Sequence, residues 1–314
     1  MYGHQDDAFY GISWQWEHDR SDTYELVGDY PAVCGFDLGG LEEHHDKDLD
    51  SVPFAWIREE AIRHIQRGGI VTFSWHPRNP VTGGTAWDVS DTLVVRSVLP
   101  GGEQHDKFVG WMSDVATFLQ SITDEQGRPL PFILRPWHEY NGSWFWWGKK
   151  LCSDAEFLGL WNMFQDYINE QLPAGNVVWS CSPNLQGDWT LEDFQRRFPA
   201  DERVDIVGED CYQWGTEEDF MRQATADVRF LSDYARQHGM LFAITECGMQ
   251  NSPTPDWWSR VFKPVLQQSE ACYFLPWRNW HADHFGASKD ASTADDFKAF
   301  AAEPTTLFLK QINR

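Results

Sequence analysis

The feature that most constrains the fold is a rhythm that runs along the whole chain: a short apolar run, a polar and aromatic segment, and an amphipathic stretch. The apolar runs are continuous rather than alternating, which is typical of strands in a parallel sheet that helices cover. No Gly-x-Gly-x-x-Gly pattern follows the first run, so an open dinucleotide-binding sheet is not favoured. The eight runs that we predict to be strands are 9–13, 32–36, 69–74, 131–136, 176–180, 205–208, 241–245 and 271–276.

Helical patterns separate these strands, with apolar residues recurring on one face. One of them opens with the capping sequence at 216–219 and stops at Gly239. Strands that alternate with helices eight times predict an α/β fold of the (β/α)₈ TIM barrel type. The chain of 314 residues contains no Pro/Ser linker, so we predict a single catalytic domain over residues 1–314. The predicted helices are 52–67, 108–123, 154–172, 216–238, 255–269 and 295–311, with a short, weaker one at 191–198.

On such barrels the catalytic groups lie at the carboxyl ends of the strands. The segment 135–148 follows the predicted fourth strand and is rich in Trp, with Glu139 in its middle. A carboxyl group among indoles is desolvated, which raises its pKa and lets it donate a proton near neutral pH. We therefore predict Glu139 as a general acid and base, with His138 beside it at the substrate. The alternative is that these Trp residues only plug the mouth of the barrel.

A second acidic residue, Glu246, ends the predicted seventh strand. A carboxylate that accepts hydrogen bonds stays ionised there and can attack an anomeric carbon. The structural alternative is that Glu246 pairs with Arg135 or Arg278. A retaining glycosidase needs its two carboxyls about 5–5.5 Å apart and an inverting one about 6.5–9.5 Å. The sequence contains no distance, so both outcomes stay open at this point.

Other strand ends carry groups that suit carbohydrate. Tyr212 is placed to donate a hydrogen bond to the nucleophile, Asp210 to orient a histidine, and Trp277 to stack on a sugar ring. His76 follows the third strand and is equally consistent with a structural histidine. The chain contains 18 Trp residues, whose flat faces suit the apolar C–H faces of sugars.

The residues at these strand ends resemble glycoside hydrolase family 26, the β-mannanase family. The resemblance is carried by 135–148, 245–248, 210–212 and 277–279, and it extends to 28–37 and 79–88. It implies a (β/α)₈ barrel that retains anomeric configuration, with Glu139 as acid/base and Glu246 as nucleophile. It also implies a set of side chains around the sugar at the point of cleavage: His76, Trp87, His138, Trp144, Asp210, Tyr212, Trp277 and Arg278.

The activity predicted from these residues is hydrolysis of internal β-1,4-mannosidic bonds in mannan, glucomannan or galactomannan by double displacement. Alternatives at the same site are a β-1,3-xylanase, a mixed-linkage β-glucanase and a mannobiose-releasing exo-mannanase. A non-catalytic mannan-binding protein is an alternative of another class. The double displacement needs no metal and no cofactor. The ligand-rich loop 42–46, Glu-Glu-His-His-Asp, is predicted to be solvated rather than a metal site.

Charge and cysteine usage complete the sequence-based expectations. With 25 Lys and Arg against 48 Asp and Glu, the net charge of −23 disfavours nucleic acid and anionic membranes as partners. The first ten residues contain no signal peptide, yet polymers do not enter cells. We therefore expect a monomer outside the cytoplasm, secreted, periplasmic or at the cell surface, whose signal segment is absent from this chain. The six cysteines are expected to be buried free thiols, and a bridge between Cys181 and Cys211 stays open.

Overall fold

The structure is a computed structural model that describes residues 1–281 and 283–313. Eight parallel strands hydrogen-bond to one another in chain order and form one sheet. Tyr2 pairs in parallel with Phe274 of the last strand, so the sheet closes on itself into a barrel and confirms the predicted (β/α)₈ fold. The strands are β1 (Gly3–Gln5), β2 (Val33–Asp37), β3 (Ile70–Ser74), β4 (Phe132–Arg135), β5 (Val177–Cys181), β6 (Ile206–Tyr212), β7 (Leu241–Gly248) and β8 (Ala271–Pro276).

Helices cover the outside of the barrel. They are α1 (Asp22–Val27), α2 (Phe54–Gln66), α3 (Val94–Val98), α4 (His105–Gln120), α5 (Asp154–Gln171), α6 (Leu191–Gln195), α7 (Glu217–Gln237), α8 (Lys263–Leu266), α9 (Ala294–Ala301) and α10 (Leu309–Ile312). The capping prediction for α7 is confirmed, because the Thr216 hydroxyl accepts a hydrogen bond from the backbone N–H of Asp219.

Two predicted helices differ from those observed. The helix predicted at 255–269 begins as a π-helical turn, Trp258–Phe262, before α8. The helix predicted at 295–311 is divided into α9 and α10, and Pro304 lies in the break. Proline cannot continue a helix because it lacks the N–H and its ring meets the preceding turn. After β8, a short antiparallel hairpin forms from β9 (Asn279–Trp280) and β10 (Asp283–His284).

The predicted first strand, 9–13, is wrong. The chain is extended earlier, in β1, where His4 and Gln5 are buried polar side chains, and His4 Nδ1 lies 2.6 Å from an Asp7 oxygen. A strand whose buried side chains are polar has no apolar run to reveal it. Phe9 is instead buried in a loop, where its ring lies edge-on to Trp56 with centroids 5.1 Å apart.

The interior of the barrel changes character along its axis. One apolar cluster, Val33, Ile133, Ile206, Ala243, Tyr273 and Leu275, fills it on the side where the strands begin. At the carboxyl ends of the strands, the side chains that point into the barrel are those of Arg135 and Asp210, both buried.

The cysteines are free thiols, and Cys181 and Cys211 do not form a bridge. Among the described helices, none has both the length and the apolar character needed to span a membrane.

Candidate active site

The loop after β4 presents Glu139 through an unusual backbone. Trp137 and Glu139 both have φ of 54°, in the left-handed region that residues with a side chain seldom adopt. Trp137 is fully buried, with its ring centroid 5.3 Å from that of Trp75 and 5.6 Å from that of Trp146. The backbone N–H of Glu139 donates to the Ser182 carbonyl at 2.8 Å. The indole packing thus anchors the loop on one side while the carboxyl of Glu139 faces an open cleft.

Neutral donors surround the carboxyl of Glu139. Its Oε2 accepts from Trp144 Nε1 at 2.5 Å, and its Oε1 accepts from Asn184 Nδ2 at 2.9 Å. Burial, and then the negative charge of Glu246, raise the pKa of Glu139 to about 7, although these two hydrogen bonds oppose the rise. Near neutral pH this carboxyl therefore can hold a proton and release it, as a general acid must.

A bulge in β7 aims Glu246 into the same cleft. The pairing of β6 with β7 shifts by one residue, so that Ile244 lies opposite Glu209 but Glu246 lies opposite Asp210. Bulges of this kind redirect side chains next to functional sites. Glu246 accepts hydrogen bonds from the Arg135 guanidinium and, at 2.6 Å, from the Tyr212 hydroxyl. A buried cation and a phenol therefore stabilise its ionised form.

The two carboxyls lie close together. Glu139, Glu246 and Asp210 each have an oxygen within 4.8 Å of the others. This separation between Glu139 and Glu246 matches the close pair of retaining glycosidases, about 5–5.5 Å, and not the wider inverting pair. Three carboxylates at such distances are also a possible set of metal ligands. The Arg135 guanidinium already binds Asp210 at 2.8 Å and also binds Glu246, so its positive charge compensates these two carboxylates.

Two histidines form a buried chain beside the carboxyls. His138 Nε2 lies 3.0 Å from His76 Nε2, and His76 Nδ1 lies 2.7 Å from Asp37 Oδ2. Burial, His76 and Arg135 lower the pKa of His138 well below its usual value, so this ring is neutral. Against burial, the Asp37 carboxylate raises the pKa of His76. The prediction that Asp210 orients a histidine is wrong, because that role falls to Asp37.

The cleft has a volume of about 680 Å³ and is open along one side. Two residues predicted to contact the sugar, Asp210 and Arg278, do not line the cleft but bind residues next to it. Asp210 binds Arg135 and accepts from the Thr245 hydroxyl at 2.6 Å, whereas Arg278 lies 3.1 Å from Asp50 and 3.6 Å from Asp283. The lining residues are His76, Trp87, His138, Glu139, Trp144, Phe145, Asn184, Tyr212, Trp214, Glu246, Gln250, Trp277, Asp283 and Phe285.

Comparison with known proteins now decides the family. Residues 1–261 match the family described as glycosyl hydrolase family 26. The chain belongs to glycosyl hydrolase family 26. A GH26 β-mannanase from Bacteroides ovatus superposes on this family 26 chain with a TM-score of 0.95 and 38% identity, covering 100% of this chain and 92% of that one. A Cellulomonas fimi endo-β-1,4-mannanase double mutant gives a TM-score of 0.89 and 29% identity, covering 99% and 72% of the two chains.

A sequence relative extends the comparison. A mannan endo-1,4-β-mannosidase of Bifidobacterium adolescentis is 32% identical over 94% of this family 26 chain. The match covers only 32% of that longer protein, so the chain spans about a third of its length. The resemblance to family 26 noted from the sequence is therefore confirmed at the level of the family.

Several lining residues of this family 26 barrel escaped the sequence-based prediction. Trp214 is 67% exposed and lies two residues beyond Tyr212, with its ring 6.0 Å from Phe285. Asn184 follows β5 by three residues and contacts Glu139. Both lie just past the carboxyl end of a strand, so the rule that located Glu139 would have found them had it been applied to β5 and to the residues after Tyr212.

The prediction of a solvated loop at 42–46 is partly wrong. His44 and His45 are exposed, but Glu42 is buried and accepts hydrogen bonds from the backbone N–H groups of Gly40 and Arg78, each at 2.9 Å. It also accepts from Trp75 Nε1 at 3.2 Å. A carboxylate with three N–H donors fastens the loop to the barrel.

Proposed function

We propose that this family 26 chain is a retaining endo-β-1,4-mannanase that cleaves internal β-1,4-mannosidic bonds in mannan, glucomannan or galactomannan. The observation that carries the chemistry is the opposition of Glu139, whose pKa is about 7, and the ion-paired Glu246 within 4.8 Å across one open cleft. The substrate class is supported by relatives described as β-mannanases and as a mannan endo-1,4-β-mannosidase.

In the first step, the Glu246 carboxylate attacks the anomeric carbon while Glu139 gives its proton to the leaving glycosidic oxygen. Arg135 and Tyr212 hold Glu246 in place until then. Once Glu246 is esterified its negative charge is gone, and this charge is one of the causes that raise the pKa of Glu139. The pKa of Glu139 then falls, so in the second step it takes a proton from the water that attacks the glycosyl ester.

Aromatic side chains form the surface on which the sugars rest. We assign stacking contacts to Trp87, Trp144, Trp277 and Trp214, which all line the cleft. Polar contacts fall to His76, His138 and Tyr212. Asp210 and Arg278 act indirectly, by fixing Arg135 and the cleft-lining Asp283 respectively.

A substrate panel tests the proposal. Reducing-sugar release is measured on mannan, glucomannan, galactomannan, β-1,3-xylan and mixed-linkage β-glucan, and we expect release only from the first three. Proton NMR of the first product should show the β-anomer, and the α-anomer would refute retention. The products of mannohexaose separate endo cleavage, with several lengths at early times, from an exo enzyme that yields only mannobiose. Binding to mannan without any cleavage would favour the non-catalytic alternative.

We also propose that residues 1–314 form one catalytic domain that works as a monomer outside the cytoplasm. A polymeric substrate requires that location, and a net charge of −23 suits a neutral polysaccharide better than a polyanion. Light scattering tests the monomer and cell fractionation the compartment. Activity that persists after exhaustive chelation is expected, since no step uses a metal.

A further inference from the structure

A pair of buried carboxyls, Glu209 and Asp227, lies behind the cleft between β6 and α7. Side chains alternate along a strand, so Glu209 points away from its neighbour Asp210, out of the barrel and towards Asp227 on α7. Both side chains are fully buried. Within residues 1–281 and 283–313, neither oxygen of Glu209 has a hydrogen-bond donor. A buried carboxylate without a donor is strongly disfavoured, so Glu209 keeps its proton.

Asp227 fastens the loop that follows β5. Its Oδ2 accepts from the backbone N–H of Gln186 at 2.6 Å, and the N–H of Gly187 lies 2.8 Å from both of its oxygens. The loop approaches α7 closely here, since a Cβ on Gly187 would lie 2.6 Å from Cγ of Gln223. The φ of Gly187, 87°, is also one that favours glycine.

The fastened loop carries Asn184. The side-chain amide of Asn184 donates to Oε1 of Glu139 at 2.9 Å, and its backbone N–H donates to Oδ1 of Asn141 at 2.7 Å. The next N–H, of Leu185, donates to the Asp210 carbonyl at 3.0 Å. A continuous series of hydrogen bonds and backbone therefore runs from α7 to the proposed acid/base.

The two buried carboxyls have different charge states. Two neighbouring carboxyls in a dry site cannot both ionise, and Asp227, with its N–H donors, is the member that keeps the charge. Burial raises the pKa of Glu209 well above its usual value and that of Asp227 to about 6. The other titratable groups that face the pair are Asp188, Asp210, Tyr140, Cys211 and Glu139. All are acidic, so none of these groups supplies a positive charge to Asp227.

We propose that Asp227 is a positioning residue for the acid/base: it holds the 184–187 loop so that Asn184 donates to Glu139. Neither carboxyl lines the cleft, so neither touches substrate. The inference rests on the proposed function, because it concerns the proton that Glu139 delivers. The Asn184 bond favours the ionised form of Glu139 and thus makes that proton easier to release.

The variant Asp227→Ala tests this role. Without its anchor, Asn184 donates less well to Glu139, so the pKa of Glu139 rises. In the pH profile of kcat/KM on mannotetraose, the decrease on the alkaline side, the alkaline limb, should then move to higher pH by roughly one unit. We expect kcat to fall about tenfold, less than the roughly 10²–10⁴-fold that a general acid contributes. The loss of the negative charge of Asp227 would by itself lower the pKa of Glu139 and move the alkaline limb to lower pH. The direction of the shift therefore distinguishes loss of positioning from loss of charge.

A substrate that needs no proton isolates the effect on the acid. The kcat/KM of Asp227→Ala on 2,4-dinitrophenyl β-mannobioside should stay near the wild-type value, because dinitrophenolate leaves unassisted. Asn184→Ala should shift the alkaline limb in the same direction, and the double variant should add little to either single one. Glu209→Gln, which leaves the bonds from Gln186 and Gly187 to Asp227 intact, should hold the limb at its wild-type position.

The control is Asp205→Ala, at an exposed carboxylate that also accepts from a backbone N–H. Asp205 accepts from the backbone N–H of Trp179 at 2.8 Å, at the opposite end of the barrel, and its loss should lower stability without moving the limb. If Asp227→Ala does not fold, Asp227→Asn should give a smaller shift in the same direction. An unmoved or lowered limb in the folded Asp227 and Asn184 variants, or equal losses on both substrates, would overturn the inference. A wild-type protein that cleaves no manno-oligosaccharide would instead refute the proposed function.

Discussion

The surroundings of the two cleft carboxyls are opposite in character although their burial is similar, with 8% of Glu139 and 4% of Glu246 exposed. Glu139 has only neutral donors, an indole and an amide. Glu246 has a guanidinium and a phenol. Burial alone therefore does not assign a role to a carboxyl. The charge of its hydrogen-bond partners decides whether it stores a proton or stays ionised.

The strongest way to break this comparison is Glu246→Ala. If Glu246 is the nucleophile, its loss removes the covalent route, and kcat on mannan should fall by a factor on the order of 10⁴ or more. Azide should restore turnover on an activated aryl mannobioside and yield the α-glycosyl azide, because it attacks from the vacated side. Retention of a tenth of the wild-type activity would exclude this role.

Removing the other carboxyl should have a smaller and more selective effect. Glu139→Ala should lower kcat/KM on mannan by roughly 10²–10⁴-fold while barely changing it on 2,4-dinitrophenyl β-mannobioside. In the wild type, kcat/KM on mannan should fall as pH rises through about 7, since the first step needs Glu139 protonated. This decrease in kcat/KM on the alkaline side should be absent from the pH profile of Glu139→Ala. Equal losses on both substrates would mean that Glu139 is not the acid.

The variant Arg135→Met tests whether the guanidinium of Arg135 is needed for Glu246 to act as the nucleophile. The variant leaves Asp210 and Glu246 buried without their partner, so the unfolding free energy should fall by about 3–5 kcal/mol, as measured by urea titration. Because Arg135 donates to Glu246 and holds it in place, kcat on mannan should also fall. Arg197→Met is the matched control: Arg197 is equally buried and pairs with Asp154 outside the cleft. A similar loss of kcat in that control would remove the special role of Arg135.

The smallest effect concerns stability. The folded-state pKa of Glu139, about 7, lies above its usual value, so this group contributes stability at acidic pH that is lost as pH rises through 7. Glu139→Gln removes the penalty of ionisation and should gain stability over the wild type at pH 8 relative to pH 5, by up to about 3 kcal/mol. Thermal unfolding at the two pH values measures this. A difference that does not change with pH would contradict the raised pKa.

The repeating pattern was sufficient to predict the barrel because most of its strands are apolar on both faces. Seven predicted strands overlap observed ones, from β2 to β8. The first did not, since His4 and Gln5 of β1 are buried polar side chains while Phe9 fills a loop. Apolar content reports burial and not backbone conformation, so a buried loop and a buried strand look alike in sequence.

The site was predictable in position but not in its contacts. The sequence locates Glu139, Glu246 and Tyr212 at strand ends. It does not reveal that Asp37 rather than Asp210 binds a histidine, or that Arg278 pairs with Asp50 and leaves Glu246 to Arg135. Such pairings depend on which strands are neighbours and on the bulge in β7, and these are properties of the closed sheet.

The left-handed backbone of Trp137 and Glu139 limits which amino acids the acid position accepts, quite apart from chemistry. Branched β-carbons are the least tolerant of such dihedral angles. A library randomised at these two positions should therefore lose Val, Ile and Thr in a screen for folded protein, before any screen for turnover. Directed evolution at these two positions would then sample fewer residue types than the chemistry of the site alone suggests, and Asn or Gly would be the most accessible intermediates.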